Sequence, residues 1–190
     1  MERVHLASAS KRRAKMLEGY LRPNVELTCS QLKAKERPHG HNIPVESQVA
    51  HTLAGKVEAA QREIEHPYIL VADTLVEDPE DQLRALGQPA DIMETVQMLL
   101  HLSGRRHRVW SGTAIICGNE VRSWVESAVV EIDALSDEDI ESLIQSNSWQ
   151  GKAGGYDLAG QMGNHARVVE GAECCVLGFA NSAVMTLEKD

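Results

Sequence analysis

Apolar residues recur along the chain with two periods, and the changes between them outline the elements. Arg3 to Ala7 reads as a short strand; from Ser10 the positions Ala14, Leu17 and Leu21 fall at helical spacing, so the chain opens as strand, turn and helix. Val25 to Cys29 reads as a second strand, and residues 30–44, SQLKAKERPHGHNIP, with two prolines, a glycine and scattered charge, as an exposed loop. Between Val45 and His66 the residues Val49, Leu53, Val57, Ala60 and Ile64 step by three and four, which marks one face of a long amphipathic helix with Lys56 beside that face. YILVADTLV, residues 68–76, is too short and too β-branched for a helix and reads as a buried strand that ends in Asp73.

Asp91 and Glu94 form a D-x-x-E start signal for a helix that carries Val96, Leu99 and Leu100 and ends near Ser103-Gly104. RVWSGTAIIC and VRSWVESAVVEI flank Gly118-Asn119-Glu120 as a hairpin of two long strands. Ser136 and Asp139 open a further helix, GKAGGYDLAG (residues 151–160) is a glycine-rich loop, Ala166 to Val169 is a strand, and a last helix lies near Asn181 to Leu187. This order mixes crossovers with antiparallel pairing. The expected fold class is α/β, a mixed twisted sheet flanked by helices with a cleft.

At 190 residues the chain can bury one sizeable core, so a single domain spanning 1–190 is expected. The formal charge of −9 argues against a broad nucleic-acid surface, and an anionic ligand must meet a local positive pocket. Lys11, Arg12, Arg13 and Lys15 are the densest cationic cluster. With no uninterrupted apolar run long enough to span a bilayer and no apolar segment after the N-terminal charges, neither a membrane helix nor a signal peptide is read, and a cytoplasmic location without membrane partners is expected. The spacing of Cys29, Cys117, Cys174 and Cys175 fits neither a disulfide scaffold nor a zinc site, so these read as reduced, mostly buried thiols.

Two places carry candidate chemistry. The turn Ser8-Ala9-Ser10 feeds a helix whose first amides are unsatisfied and whose dipole is positive there, and the serines and arginines around it would complete a phosphate cradle. The plainer alternative is that Ser10 only caps the helix, although a basic helix start opposes the dipole and calls for an anion. Asp73 is placed to hold a divalent cation or activate water, or else to cap the turn that follows. His39 and His41 read as solvated, His107 as structural, and Trp110, Trp124 and Trp149 as packing residues.

Several of these pieces together resemble the Maf (septum-formation-inhibitor) family of nucleoside triphosphate pyrophosphatases. LASASKRRAKML is similar to the opening L-A-S-x-S-P-R-R, VADTLV to G-A-D-T-V-V, and LGQP to L-G-K-P. MLLHLSGRRHRVWSG resembles M-L-x-x-L-S-G-x-x-H-x-V-x-T-G, and GKAGGYDLAG resembles D-K-A-G-A-Y-G-I-Q-G. The resemblance implies a two-lobed fold with a nucleotide cleft, of the Maf and inosine triphosphate pyrophosphatase type, commonly a homodimer. It also implies Mg²⁺- or Mn²⁺-dependent hydrolysis of a nucleoside triphosphate to monophosphate and pyrophosphate. Carried onto this chain, Ser8, Ser10, Arg12 and Arg13 would hold phosphates, Lys56 would neutralise them, and Asp73 would serve the water or the metal. Arg12 and Thr74 match positions tied to base choice in a pyrimidine-preferring branch.

The departures from those motifs are equally specific. Gln88 stands for the lysine of L-G-K-P in the substrate cleft, Gly151 for the aspartate before K-A-G, Ala159 for a glutamine and Lys11 for the proline, while the acidic I-D-E segment has only Glu36 nearby, out of register. They leave open an alternative: a nucleotide-binding or sensor protein of the same fold with weakened catalysis.

Overall fold

The computed structural model describes residues 2–34 and 42–188, so Glu36, His39 and His41 lie outside the described residues. The elements run β1 (Arg3–Leu6), α1 (Lys11–Tyr20), β2 (Glu26–Cys29), α2 (Val45–Glu63), β3 (Tyr68–Asp78), β4 (Asp81–Leu86), α3 (Ile92–Leu102), β5 (Arg106–Cys117), β6 (Glu120–Ile132), α4 (Asp137–Gln145), β7 (Ala166–Glu170), α5 (Glu173–Leu177) and α6 (Asn181–Leu187). Short 3-10 turns at Ala153–Gly155 and Gln161–Asn164 shape the glycine-rich segment.

Seven strands form one sheet in the order β2-β1-β3-β5-β6-β7, with β4 added against β3. β1 runs parallel to β2 and β3, and the remaining pairs are antiparallel, so the sheet is mixed as expected. The β5–β6 hairpin turns on Gly118-Asn119, and Ser136 with Asp139 forms a reciprocal capping box at the start of α4.

The two faces of β3 serve different cores. Ile69 and Val71 meet Leu53, Val57 and Ala60 of α2, and Leu75 continues that contact with Val45 and Val49. Leu70, Ala72 and Val76 belong to the larger core on the opposite face, built with Leu17, Leu99, Leu102, Tyr156 and Phe179. Alternation along one strand thus sends consecutive residues into separate environments.

One expectation needs correction. Asp73 does not end a strand: β3 continues five residues further, to Asp78, and Asp73 pairs with Gly112 of β5. It reaches a cleft because of the strand's other edge. There β1 is registered only with Ile69 and Leu70, and β4 pairs only from Val76 onward, so the residues between have no strand partner on that edge. A residue in mid-strand therefore borders a gap in the sheet.

The thiols also divide differently from the expectation of mostly buried groups. All four cysteines are free; Cys174 and Cys175 are buried, Cys117 is half-buried and Cys29 is exposed.

Candidate active site

The gap opens into a cleft of about 1080 Å³. Ser8, Ser10, Arg12 and Arg13 line it from the β1–α1 turn, Lys56 from α2, Asp73 and Thr74 from β3, and Gln88 from the segment after β4. The eight residues given a substrate or catalytic role from the resemblance, Ser8, Ser10, Arg12, Arg13, Lys56, Asp73, Thr74 and Gln88, are thereby brought to one place. The lining includes Lys11, Lys33, Arg62 and Lys152 as well, which among the described residues makes seven cationic side chains against the single carboxylate of Asp73. In a chain of net charge −9 this concentration is local, and it gives the cleft an electrostatic character complementary to a polyanion.

Local structure explains how the first part is built. Ser10 is the N-cap of α1, its Oγ accepting from the Arg13 amide at 3.3 Å, while Ser8 Oγ accepts from the Ser10 amide at 3.2 Å. The first turn of α1 contains no acid and three successive cations, Lys11, Arg12 and Arg13. Those charges repel the positive end of the helix dipole, so a bound anion relieves both. Ser10 does serve as the cap, and that role leaves the amides of Lys11 and Arg12 ahead of the first intrahelical acceptor.

Asp73 and Lys56 are joined at 2.6 Å, with side chains 9% and 14% exposed. Gly112 makes this contact feasible: directly across from Asp73 in the ladder, it has no side chain, and a Cβ there would stand 2.8 Å from Val49 Cγ1. Close approach of α2 to the sheet at this level lets Lys56 reach the strand. The second oxygen, Oδ2, is buried and has no hydrogen-bond partner among the described residues. A buried carboxylate oxygen left unpaired is costly unless a ligand, water or cation completes it.

On the other face of β3 the hydroxyls form a directed chain. Ser111 Oγ donates to the Cys175 carbonyl at 2.7 Å, so its proton is committed. Thr74 must therefore donate to Ser111 Oγ at 2.8 Å, and Thr74 Oγ1 accepts from Arg13 Nη2 at 2.9 Å. Arg13 Nε also donates to the Gly178 carbonyl at 3.2 Å. These contacts fix Arg13 against the sheet and α5, beside the cleft.

Arg12 donates to Asp157 Oδ1 at 3.0 Å, and Lys152 lies 3.7 Å from Oδ2 of the same carboxylate. The loop carrying Lys152 and Asp157 is fastened from inside by Tyr156, whose hydroxyl meets His107 Nε2 at 2.7 Å. Burial pushes the His107 imidazole down to about 4 and pushes the Tyr156 hydroxyl up. Gly154, at φ +71°, lets the loop lie against β3, with its amide donating to the Gly87 carbonyl at 3.0 Å. His107 thus has the structural place expected of it.

Sequence reading missed Lys33, Arg62, Lys152, Tyr156 and Asp157. Lys152 and Tyr156 were within reach, since both are letters of the matched K-A-G-A-Y motif, and Asp157 is a departure from its next letter. Lys33 and Arg62 carry no local signal; only packing brings them to the cleft.

A second group of potential metal ligands, Asp78, Glu80 and His101, has one ligand atom from each within 4.8 Å of the others. It lies at the β3–β4 turn, and none of the three lines the cleft. Asp78 is already paired with His101 at 2.9 Å and Arg84 at 3.4 Å, and Glu80 is bonded to Arg105. Burial raises the Asp78 carboxyl, but hydrogen bonds from His101 and the Glu80 amide, with the charges of His101 and Arg84, outweigh it and hold it low. As it stands the group is a satisfied ion-pair network. No helix among the described residues is long and apolar enough to cross a membrane.

Several relatives align over most of this chain. The dTTP/UTP pyrophosphatase of Novosphingobium aromaticivorans is 33% identical over 180 residues, covering 92% of this chain and 84% of its own. That of Alkaliphilus oremlandii is 32% identical over 182 residues, covering 94% and 91%, and that of Pyrococcus furiosus is 30% identical over 190 residues, covering 98% and 94%. Among solved structures, a nucleoside-triphosphatase / dITP/XTP pyrophosphatase from Mycobacterium abscessus aligns at a TM-score of 0.37 and 13% identity over 68% of this chain and 72% of its own. The family model described as Maf-like protein matches residues 3–189, and with it the chain belongs to the Maf-like protein family.

Proposed function

We propose that this chain is a nucleoside triphosphate pyrophosphatase acting on pyrimidine nucleotides of the dTTP and UTP type, with Asp73 as its central catalytic residue. The observation that carries the proposal is the buried Asp73 carboxylate: among the described residues one oxygen is held by Lys56, the other is unpaired, and the other charged side chains lining the cleft are cations. Three relatives named dTTP/UTP pyrophosphatase, each aligned over more than nine-tenths of this chain, support the choice of substrate.

The triphosphate lies with its charge on the α1 N-terminus, Ser8, Ser10 and the surrounding lysines and arginines. Lys56 fixes the orientation of Asp73, and Oδ2 receives the proton of a water that attacks the α-phosphorus. The new bond joins that water oxygen to the α-phosphorus, the bond to the bridging oxygen of the β-phosphate breaks, and pyrophosphate departs. Fixed cations stabilise the charge that gathers on the phosphoryl oxygens and the leaving group. A divalent cation, Mg²⁺ or Mn²⁺, would be held by the Asp73 carboxylate, a hard oxygen donor. Such an ion would supply further charge neutralisation on the phosphates. A homodimer is the assembly the family resemblance implies, and light scattering reads it.

The test is a panel of ordinary and modified nucleoside triphosphates with Mg²⁺, scored for monophosphate and pyrophosphate. Turnover of dTTP and UTP is expected, with loss of about 100- to 1,000-fold in Asp73→Asn. Silence across the whole panel overturns the hydrolase. Nucleotide binding without product would instead favour a binding or sensor protein, the reading motivated by Gln88, Gly151 and Ala159.

A further inference from the structure

Asp157 takes no part in the chemistry just described, yet it holds two of the cleft's cations. In the motif that GKAGGYDLAG resembles, its position is a glycine, and the motif's carboxylate comes six positions earlier, where this chain has Gly151. Within this loop the negative charge has moved. Its new position is fixed: Asp157 follows the Tyr156 anchor, and its Oδ1 accepts from the Ala159 amide at 3.2 Å as well as from Arg12. The carboxylate is 16% exposed and Arg12 is 21% exposed, so the pair is only partly screened by water. Arg12 also keeps a buried Nε donor with no partner among the described residues.

We propose that Asp157 tunes phosphate binding in the cleft as an internal counter-anion that occupies Arg12 and Lys152 until a phosphate group displaces it. A phosphate oxygen that approaches either cation must break its bond to Asp157 and then meet a fixed negative charge. Pyrophosphate has only its charge with which to offset that cost. A nucleoside triphosphate adds the contacts of its base and sugar. Asp157 therefore weakens the hold on phosphate by the same factor for both ligands; the nucleotide stays bound through its added contacts, whereas release of the pyrophosphate product is hastened. The inference builds on the pyrophosphatase reading but is measured without turnover.

The experiment is calorimetric titration of pyrophosphate, with Mg²⁺, into the wild-type protein and Asp157→Asn, which keeps a carbonyl oxygen for the Ala159 amide. The variant is expected to bind pyrophosphate roughly fivefold to tenfold more tightly, given two partly exposed ion pairs. The gain should shrink at high salt and be largely lost in an Arg12→Gln background. Equal or weaker binding by a variant whose melting temperature is unchanged overturns the proposal. If Asp157→Asn melts lower, Asp157→Ser carries the same comparison under the same criterion. A nucleotide panel with no turnover but tighter pyrophosphate binding by the variant removes the hydrolase and leaves the counter-anion. Turnover by the wild type with unaltered pyrophosphate affinity in the variant does the reverse.

Discussion

Stability should fall with acidification because of one side chain, His107. It is 3% exposed, touches Tyr156 through Nε2, and has a buried Nδ1 without a partner among the described residues. Burial lowers its pKa from 6.5 to about 4. The unfolded chain takes up a proton below about pH 6.5, whereas the folded protein resists until about pH 4, so stability is full at neutral pH and lost as pH falls through that window. Linkage over this interval gives a loss of about 2 kcal/mol between pH 8 and pH 5, and about 3 kcal/mol if continued to pH 4. That is a sizeable share of the 5–15 kcal/mol typical of a domain. The assay is urea unfolding at a series of pH values for the wild type and His107→Gln, whose amide can still meet the Tyr156 hydroxyl. Other groups titrate in both proteins, so the difference between the two curves isolates the imidazole. Wild type should lose about 2 kcal/mol more than the variant between pH 8 and pH 5, seen as a melting-temperature difference of about 4–8 °C in a chain of this size. Parallel curves would refute the buried, neutral histidine. Because Tyr156 anchors the loop that carries Lys152 and Asp157, the same acid window should loosen the cleft wall.

Two further substitutions probe the frame around the site. Gly112→Ala places a Cβ 2.8 Å from Val49 Cγ1, so α2 must shift away from β3; a cost of about 1–3 kcal/mol by denaturant titration and a drop in turnover through Lys56 are expected, and unchanged values would show that α2 adapts freely. Arg13→Ala strips the donor from Thr74 Oγ1 and from the Gly178 carbonyl, and should cost about 1.5–3 kcal/mol in urea. Its nucleotide affinity should fall more at low salt than at high salt, since a phosphate contact at the cleft is screened; equal loss at both would assign Arg13 to structure alone.

Local pattern was enough for most of the elements. The hairpin around Gly118-Asn119, the capped starts at Ser10, Asp91 and Ser136 and the apolar face of α2 are each settled by residues within a turn or two of one another. Two elements escaped that reading. β4, DQLRAL, is exposed over most of its length and has no alternation to betray it, and α5 is a single short turn-length helix recognisable only by its packing. The motifs likewise named the residues that meet in the cleft without giving their arrangement.

The sequence by itself determined the α/β class, the family and the residue types available for phosphate chemistry. Only the tertiary structure decided that Asp73, in the middle of a strand, lines a cleft at the gap between β1 and β4. It also decided that Gly112 brings Lys56 within 2.6 Å of Asp73, and that Arg12 meets a carboxylate 145 residues away. The reason is range. Periodicity and capping depend on neighbours along the chain, whereas the charge and hydrogen-bond state of a buried side chain depend on whatever the packed core brings beside it.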